Sequence, residues 1–292
     1  MARVRVNGGY INYQVTGEGK PVVMLRGLGR TVRHWLGYDR YLAKHFQVVT
    51  LDNRGLGRSK CRVPWDVTIS DMAEDVVRVL DHLEIDSAHF MGISLGGMIA
   101  LALGLNHPDR CRSLTIINSS IGGELTLRLT VPALMKLARN LRDPHKINEV
   151  LADLLVSPDL PEKRRTKMMA EWVTIIEQEG MPYLTTLKQL AAAARFKVAA
   201  DLRAMRVPTL VIYGTDDRFV PIVNSLMIHR SIPGAKMVKI DGGGHELMTD
   251  RPAELLLEIR KFIAEVEGAS HVIVPDPVEP MDLEPEAERV LN

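Results

Sequence analysis

The chain is short of the residues that build secreted or membrane-embedded scaffolds. Only two cysteines, Cys61 and Cys111, stand among 292 residues. That is too few for a disulfide framework or a cysteine-based metal site, so both are expected as reduced thiols. No apolar stretch reaches the ~20 residues needed to span a bilayer. The segment Met1-Ala2-Arg3-Val4-Arg5-Val6 lacks the apolar core of a signal peptide. Charge is balanced, with 37 basic and 36 acidic side chains, so no excess of one sign points to nucleic acid. Clustered metal-ligand spacing and a phosphate-cradling glycine loop are both missing. The expectation is a soluble, cytoplasmic protein with no cofactor, no metal, and neither a nucleic-acid nor a membrane partner.

What is present suits one large α/β domain: 46% hydrophobic and 25% charged residues in a chain of this length. The charge is unevenly placed. Residues 268–292 carry six acids and one base, net −5, which leaves the remainder at about +6. This tail, with Pro275, Pro277, Pro280 and Pro285, is expected to be disordered or extended. Its segment His271–Val274 could add a strand to a sheet edge or to a partner, so association through the tail stays open.

Strand patterns come early, at Arg3–Val6, Tyr10–Thr16, Val22–Leu25 and Val48–Leu51. The first two alternate around Asn7-Gly8-Gly9, as a half-exposed hairpin does. The next two are continuous apolar runs, as buried parallel strands are. Helices are predicted at Trp35–His45 and Thr68–Leu83, the latter with apolar residues at helical spacing and Asp71, Glu74 and Asp75 near its start. Leu114–Asn118, Thr209–Tyr213 and Met237–Ile240 read as further strands, and Ile222–Ile232 and Pro252–Glu267 as helices. Strands alternating with helices imply a mostly parallel, twisted sheet covered on both faces. Residues 122–204 break the alternation with helical patterns only: Leu125–Leu141, Lys146–Leu155, Glu162–Glu179 and Tyr183–Val198. They are read as a helical cap over the cleft of a core formed by 1–121 and 205–267.

One segment carries chemistry. Gly92-Ile93-Ser94-Leu95-Gly96-Gly97 lies between an apolar strand run and the apolar helix run Met98–Leu103. Strand, sharp turn with serine, then buried helix is the layout of a nucleophile elbow. The turn leaves no room for a Cβ beside the serine, hence the glycines. A serine hydroxyl needs a base, and the base needs an orienting acid. Asp241-Gly242-Gly243-Gly244-His245 follows a strand, and its glycines let a loop carry His245 back over the strand ends. The acid is sought after the preceding strand, in Gly214-Thr215-Asp216-Asp217, where two aspartates compete. An oxyanion needs backbone N–H donors. Leu95 N–H, at the helix start, is one candidate. Leu28 N–H, in the loop Arg26-Gly27-Leu28-Gly29, is the other.

These residues resemble the α/β-hydrolase fold superfamily, in its single-cap branch of esterases and lactonases, over about residues 10–267. Asp52-Asn53-Arg54-Gly55-Leu56-Gly57-Arg58-Ser59 is similar to a structural turn of that family, and Asn106–Arg110 to the segment after its elbow helix. The resemblance selects Asp217 over Asp216. It implies an α/β-hydrolase fold with an inserted cap and a Ser94–His245–Asp217 triad. The implied reaction is cleavage of a small or medium carboxylic ester through an acyl-enzyme.

Two positions depart from the family pattern. Arg26 stands where the family has histidine before the oxyanion glycine, and Ile93 where it often has histidine before the nucleophile. Ile93 is expected to pack. For Arg26 two readings are open: it holds the oxyanion loop through backbone carbonyls, or one of Arg26, Arg30 and Arg33 meets a substrate carboxylate. His34, His89 and His107 are expected to pack or cap. Met135, Met168, Met169 and Met181 are expected either in the cap core or on an acyl pocket. The oxyanion-loop and elbow sequences are also similar to enol-lactonases acting on carboxylated rings, so a lactonase is the alternative reading. A non-catalytic ligand-binding protein on this fold is the alternative of a different class.

Overall fold

The computed structural model describes residues 2–123, 131, 135–136, 139 and 143–268. Strands β1 (Ala2–Val6) and β2 (Gly9–Thr16) form the expected antiparallel hairpin, with Val4 paired to Ile11 and Gly8 at φ 88° in the turn. The sheet then continues through β3 (Pro21–Leu25), β4 (Gln47–Leu51), β6 (Ala88–Ile93), β7 (Cys111–Ile117), β8 (Thr209–Gly214) and β9 (Lys236–Ile240). Its order is β1-β2-β4-β3-β6-β7-β8-β9, and every pairing from β4 onward is parallel. The two-residue strand β5 (Lys60–Cys61) pairs with β2 and had no sequence signal of its own.

The period-2 alternation of buried strands sorts side chains into two apolar clusters, one on each face. Val23, Leu25, Phe90 and Val211 face one way, against α2 (Ile69–His82) and α3 (Leu95–Asn106). Val22, Met24, Met91 and Ile212 face the other, against α1 (Tyr38–Ala43) and the last helix, Pro252–Val266. Helix α2 starts where the sequence predicts. Thr68 Oγ1 accepts the Asp71 N–H at 3.0 Å, and Asp71 Oδ2 accepts the Thr68 N–H at 2.8 Å, a reciprocal cap. Helix α3 is buried continuously from Leu95 to Gly104, which is why it shows no polar face in the sequence.

The single helix predicted over Trp35–His45 is instead a 3₁₀ turn, Val32–Trp35, followed by α1. Leu36 at φ 51° and Gly37 at φ 91° break the run. Leftward backbone at two successive residues cannot continue a right-handed helix.

Between β7 and β8 lie α4 (Pro144–Leu155), α5 (Glu162–Glu179) and α6 (Tyr183–Arg195). Helix α6 ends before the predicted Val198 because Phe196 turns extended and Lys197 bridges to Gly122. Leu155, Trp172 and Ile175 of these helices share the apolar cluster of Trp35, Leu247 and Leu255. The helix predicted over 125–141 lies largely outside the described residues, as does the tail beyond Gly268 with its strand candidate. Cys61 and Cys111 are buried free thiols. Among the described residues no helix is long and apolar enough to cross a membrane.

Candidate active site

Strand β6 runs through the middle of the sheet between β3 and β7, and Ser94 follows its last residue. Ser94 sits at φ 56°, ψ −121°, a strained conformation for a residue with a Cβ, costing roughly 1–3 kcal/mol. The surroundings hold it there. Its N–H donates to Ile117 O at 2.9 Å, and its carbonyl accepts from Gly97 N at 2.9 Å and Ser119 Oγ at 2.6 Å. A Cβ on Gly92 would stand 2.2 Å from Gly96 O, and one on Gly96 would stand 2.0 Å from Leu25 O. The flanking glycines therefore answer to sterics, as the motif implies.

His245 lies in the loop after β9, and Asp217 in the loop after β8. His245 Nδ1 and Asp217 Oδ2 are 2.7 Å apart, both side chains nearly fully buried. The other carboxylate oxygen, Asp217 Oδ1, accepts the N–H groups of Phe219 and Val220, each at 2.8 Å. Asp217 is thus fixed on both sides, while Asp216 is turned away and accepts from the Thr215 hydroxyl. With Nδ1 committed to Asp217, Nε2 is the ring nitrogen left to exchange a proton.

Three residues that the sequence did not mark hold the histidine loop. Asn118, at φ 44°, donates from Nδ2 to Gly244 O and to His245 O, both at 2.9 Å, and accepts Gly214 N–H at 3.0 Å. It ties the end of β7 to both loops that carry His245 and Asp217. Asp250 Oδ2 accepts Gly244 N–H at 2.7 Å and Ser157 N–H at 3.1 Å. Burial pushes its carboxyl up to about 7, against those two N–H bonds. Glu246 is the third, through Arg26.

Arg26 takes neither of the two roles open to it from the sequence. It is 1% exposed and forms a bidentate pair with Glu246, at 2.7 and 3.0 Å, with its guanidinium stacked 4.6 Å from the Trp35 ring centroid. Burial works to raise the Glu246 carboxyl, but Arg26 and Arg30 outweigh it and hold it below the ordinary value. The loop is held through a side-chain carboxylate next to His245.

The two amides expected at an oxyanion, Leu28 N–H and Leu95 N–H, donate to no protein acceptor among the described residues. Leu95 is the first residue of α3, where helix N–H groups lack intrahelical partners. Gly27, beside Leu28, approaches Ser94 so closely that a Cβ there would lie 3.2 Å from Ser94 Cβ. Asn53 Nδ2 bonds Arg26 O at 3.3 Å, and Gly29 N–H bonds Gln189 Oε1 at 3.2 Å, which steadies the loop from both sides. Asp52 receives Val32 N–H at 2.8 Å and Arg58 N–H at 3.0 Å, so its turn is structural, as expected.

Ser94, His245 and Leu28 open onto one cavity of about 530 Å³, walled on its far side by Leu151, Ile176 and Leu187 of α4, α5 and α6. Met181 lines it too, whereas Met168 is buried in the apolar cluster and Met135 is exposed. The Leu95 side chain packs in the core. His89 and His107 pair with Ser113 and Glu74, away from the cavity. His34 lines the cavity but accepts Thr31 N–H as a cap at 3.1 Å.

Residues 20–252 match the family described as alpha/beta hydrolase fold. A relative from Azorhizobium caulinodans, named "Putative carbamate hydrolase RutD", is 28% identical over 262 residues, covering 87% of this chain and 95% of its own. Among solved structures, Est816, described as an N-acyl homoserine lactone degrading enzyme, is 27% identical with a TM-score of 0.73, over 89% of this chain and all of its own. The enol-lactonase from Burkholderia xenovorans LB400 has a TM-score of 0.77 at 24% identity, over 90% of this chain and all of its own, and so shares the fold. The chain belongs to the alpha/beta hydrolase fold family and is, with it, a hydrolase.

Proposed function

We propose that the protein is a serine hydrolase that cleaves a small or medium carboxylic ester through an acyl-enzyme. The observation that carries this reading is the 2.7 Å pairing of Asp217 with His245 at the cavity onto which the strained Ser94 opens. Ser94 Oγ attacks the ester carbonyl while His245 Nε2 takes its proton. The Leu28 and Leu95 amides stabilise the oxyanion of the tetrahedral intermediate. His245 then protonates the leaving alcohol, and the acyl-enzyme forms. A water activated by His245 releases the acid. Asp217 keeps the imidazole in one tautomer and stabilises its cation. Helices α4 to α6 act as a cap that closes the cleft and sets acyl size, over a core of residues 1–121 and 205–267.

A lactone is the second reading, favoured by the likeness to Est816 at 27% identity. The name of the Azorhizobium relative suggests a carbamate. All three place the same carbonyl before the same serine. The test is a panel of nitrophenyl esters from acetate to decanoate, with lactones and carbamates, on wild type and Ser94→Ala. Ester turnover lost in the variant supports the reading. Turnover confined to lactones or carbamates replaces the ester with that class, and no turnover of any of them favours a non-catalytic ligand-binding role.

A further inference from the structure

Three arginines follow β3 within one loop and its 3₁₀ turn, and they differ in how their charge is met. Arg26 is held by Glu246, as above. Arg33 lies 3.5 Å from Glu179. Arg30 forms no ion pair among the described residues. It is 8% exposed, its guanidinium carbon stands 4.2 Å from the Trp172 ring centroid, and its Nη2 is buried with no hydrogen-bond acceptor among the described residues. Its backbone is fixed by an N–H bond to Gly27 O at 3.2 Å, one residue from the Leu28 amide. It lines the same cavity as Ser94 and His245.

The surroundings do not neutralise it. Burial lowers Arg30 to about 10, Arg26 acts in the same direction and Glu246 against it, so it stays protonated at neutral pH. Burial, and then Arg30 and Arg26, push His34 well below its ordinary value, so the neighbouring ring is neutral. The cavity carboxylates are Glu246, bidentate to Arg26, and Glu179, beside Arg33. A stacked tryptophan offsets part of the desolvation of a guanidinium, but supplies no acceptor for its N–H groups. A dry, charged fork with a free N–H edge in a reaction cavity fits an anion, and its planar geometry suits a carboxylate.

We propose that Arg30 is the specificity residue of this cavity and binds a carboxylate carried by the substrate, so that the preferred substrate is an acid ester or lactone acid and not a neutral ester. The proposal deepens the serine-hydrolase reading and rests on it for the substrate's reacting group. Arg30 fixes the carboxylate end, and the Leu28 and Leu95 amides meet the reacting carbonyl.

The test compares nitrophenyl butyrate with nitrophenyl hemisuccinate, on wild type, Arg30→Met and Arg30→Lys, and follows melting temperature with added succinate. Wild type should prefer the hemisuccinate in kcat/KM. The preference should fall by about tenfold or more in Arg30→Met, chiefly through KM, and by less in Arg30→Lys, which keeps the charge but loses the fork. Succinate should raise the melting temperature of wild type and of Ser94→Ala, but not of Arg30→Met. If Arg30→Met fails to fold, the Arg30→Lys ratio decides. An unchanged ratio, with equal or absent succinate stabilisation in all variants, overturns the proposal and leaves Arg30 as a packed charge acting on Glu246 from a distance. If no ester is turned over but succinate still stabilises through Arg30, the ester reading fails and the carboxylate site stands.

Discussion

Arg26 and Glu246, 220 residues apart in sequence, form a fully buried bidentate ion pair that joins the loop of the Leu28 amide to the loop of His245. The residue before Gly27 and the residue after His245 are thereby one unit. Removing either partner strands a charge in the interior, so Arg26→Met and Glu246→Gln should each lose about 3–5 kcal/mol in urea unfolding. The double variant Arg26→Met/Glu246→Leu should be more stable than either single one. A double variant less stable than both would show that the pair does more than neutralise itself.

The elbow glycines should tolerate nothing larger. Gly96→Ala places a methyl 2.0 Å from Leu25 O, and should cost about 3 kcal/mol with loss of activity. Gly234→Ala meets nothing within 4 Å at φ 74°, so it should cost only about 1–2 kcal/mol from backbone strain, with activity retained. Chemical denaturation and ester turnover measure both.

Asp250 gives a pH dependence of defined sign. Its folded value, about 7, lies above the ordinary aspartate value of 3.8. Between those limits the folded state keeps a proton that the unfolded chain has released. Its contribution is therefore fully present below the unfolded value and lost as pH rises through the folded one. Asp52, raised to about 6 chiefly by burial, acts in the same direction. The urea midpoint of wild type should fall between pH 5 and pH 8, and Asp250→Asn should flatten part of that fall. An identical slope in the variant would assign the dependence to other groups.

Asp217→Asn keeps the shape of the side chain but disturbs the tautomer of His245. Turnover should drop by roughly 10⁴-fold, with KM little changed. Asp216→Asn, whose parent side chain bonds only Thr215 among the described residues, should stay near wild type. A reversal of the two would move the orienting role to Asp216.

Much of this was legible because single segments carry it. The continuous apolar runs at 22–25 and 88–93 are parallel strands, and Gly92–Gly97 packs strand, turn and helix start into six residues. The choice between Asp216 and Asp217 was not visible in local chemistry, because it depends on the Phe219 and Val220 amides and on His245, 28 residues away, which together hold Asp217. The roles of Arg26, Asn118 and Asp250 depend on partners that only the folded sheet brings near. The break at Leu36 leaves no mark on the sequence, because the apolar spacing continues through a backbone that turns left-handed.

Labelling with a fluorophosphonate, read by peptide mass spectrometry, asks whether Ser94 is an activated nucleophile. One adduct is expected, on Ser94, absent in Ser94→Ala and slowed strongly in His245→Ala and Asp217→Asn. A protein that stays unlabelled while folded, or labels equally in Ser94→Ala, would contradict it.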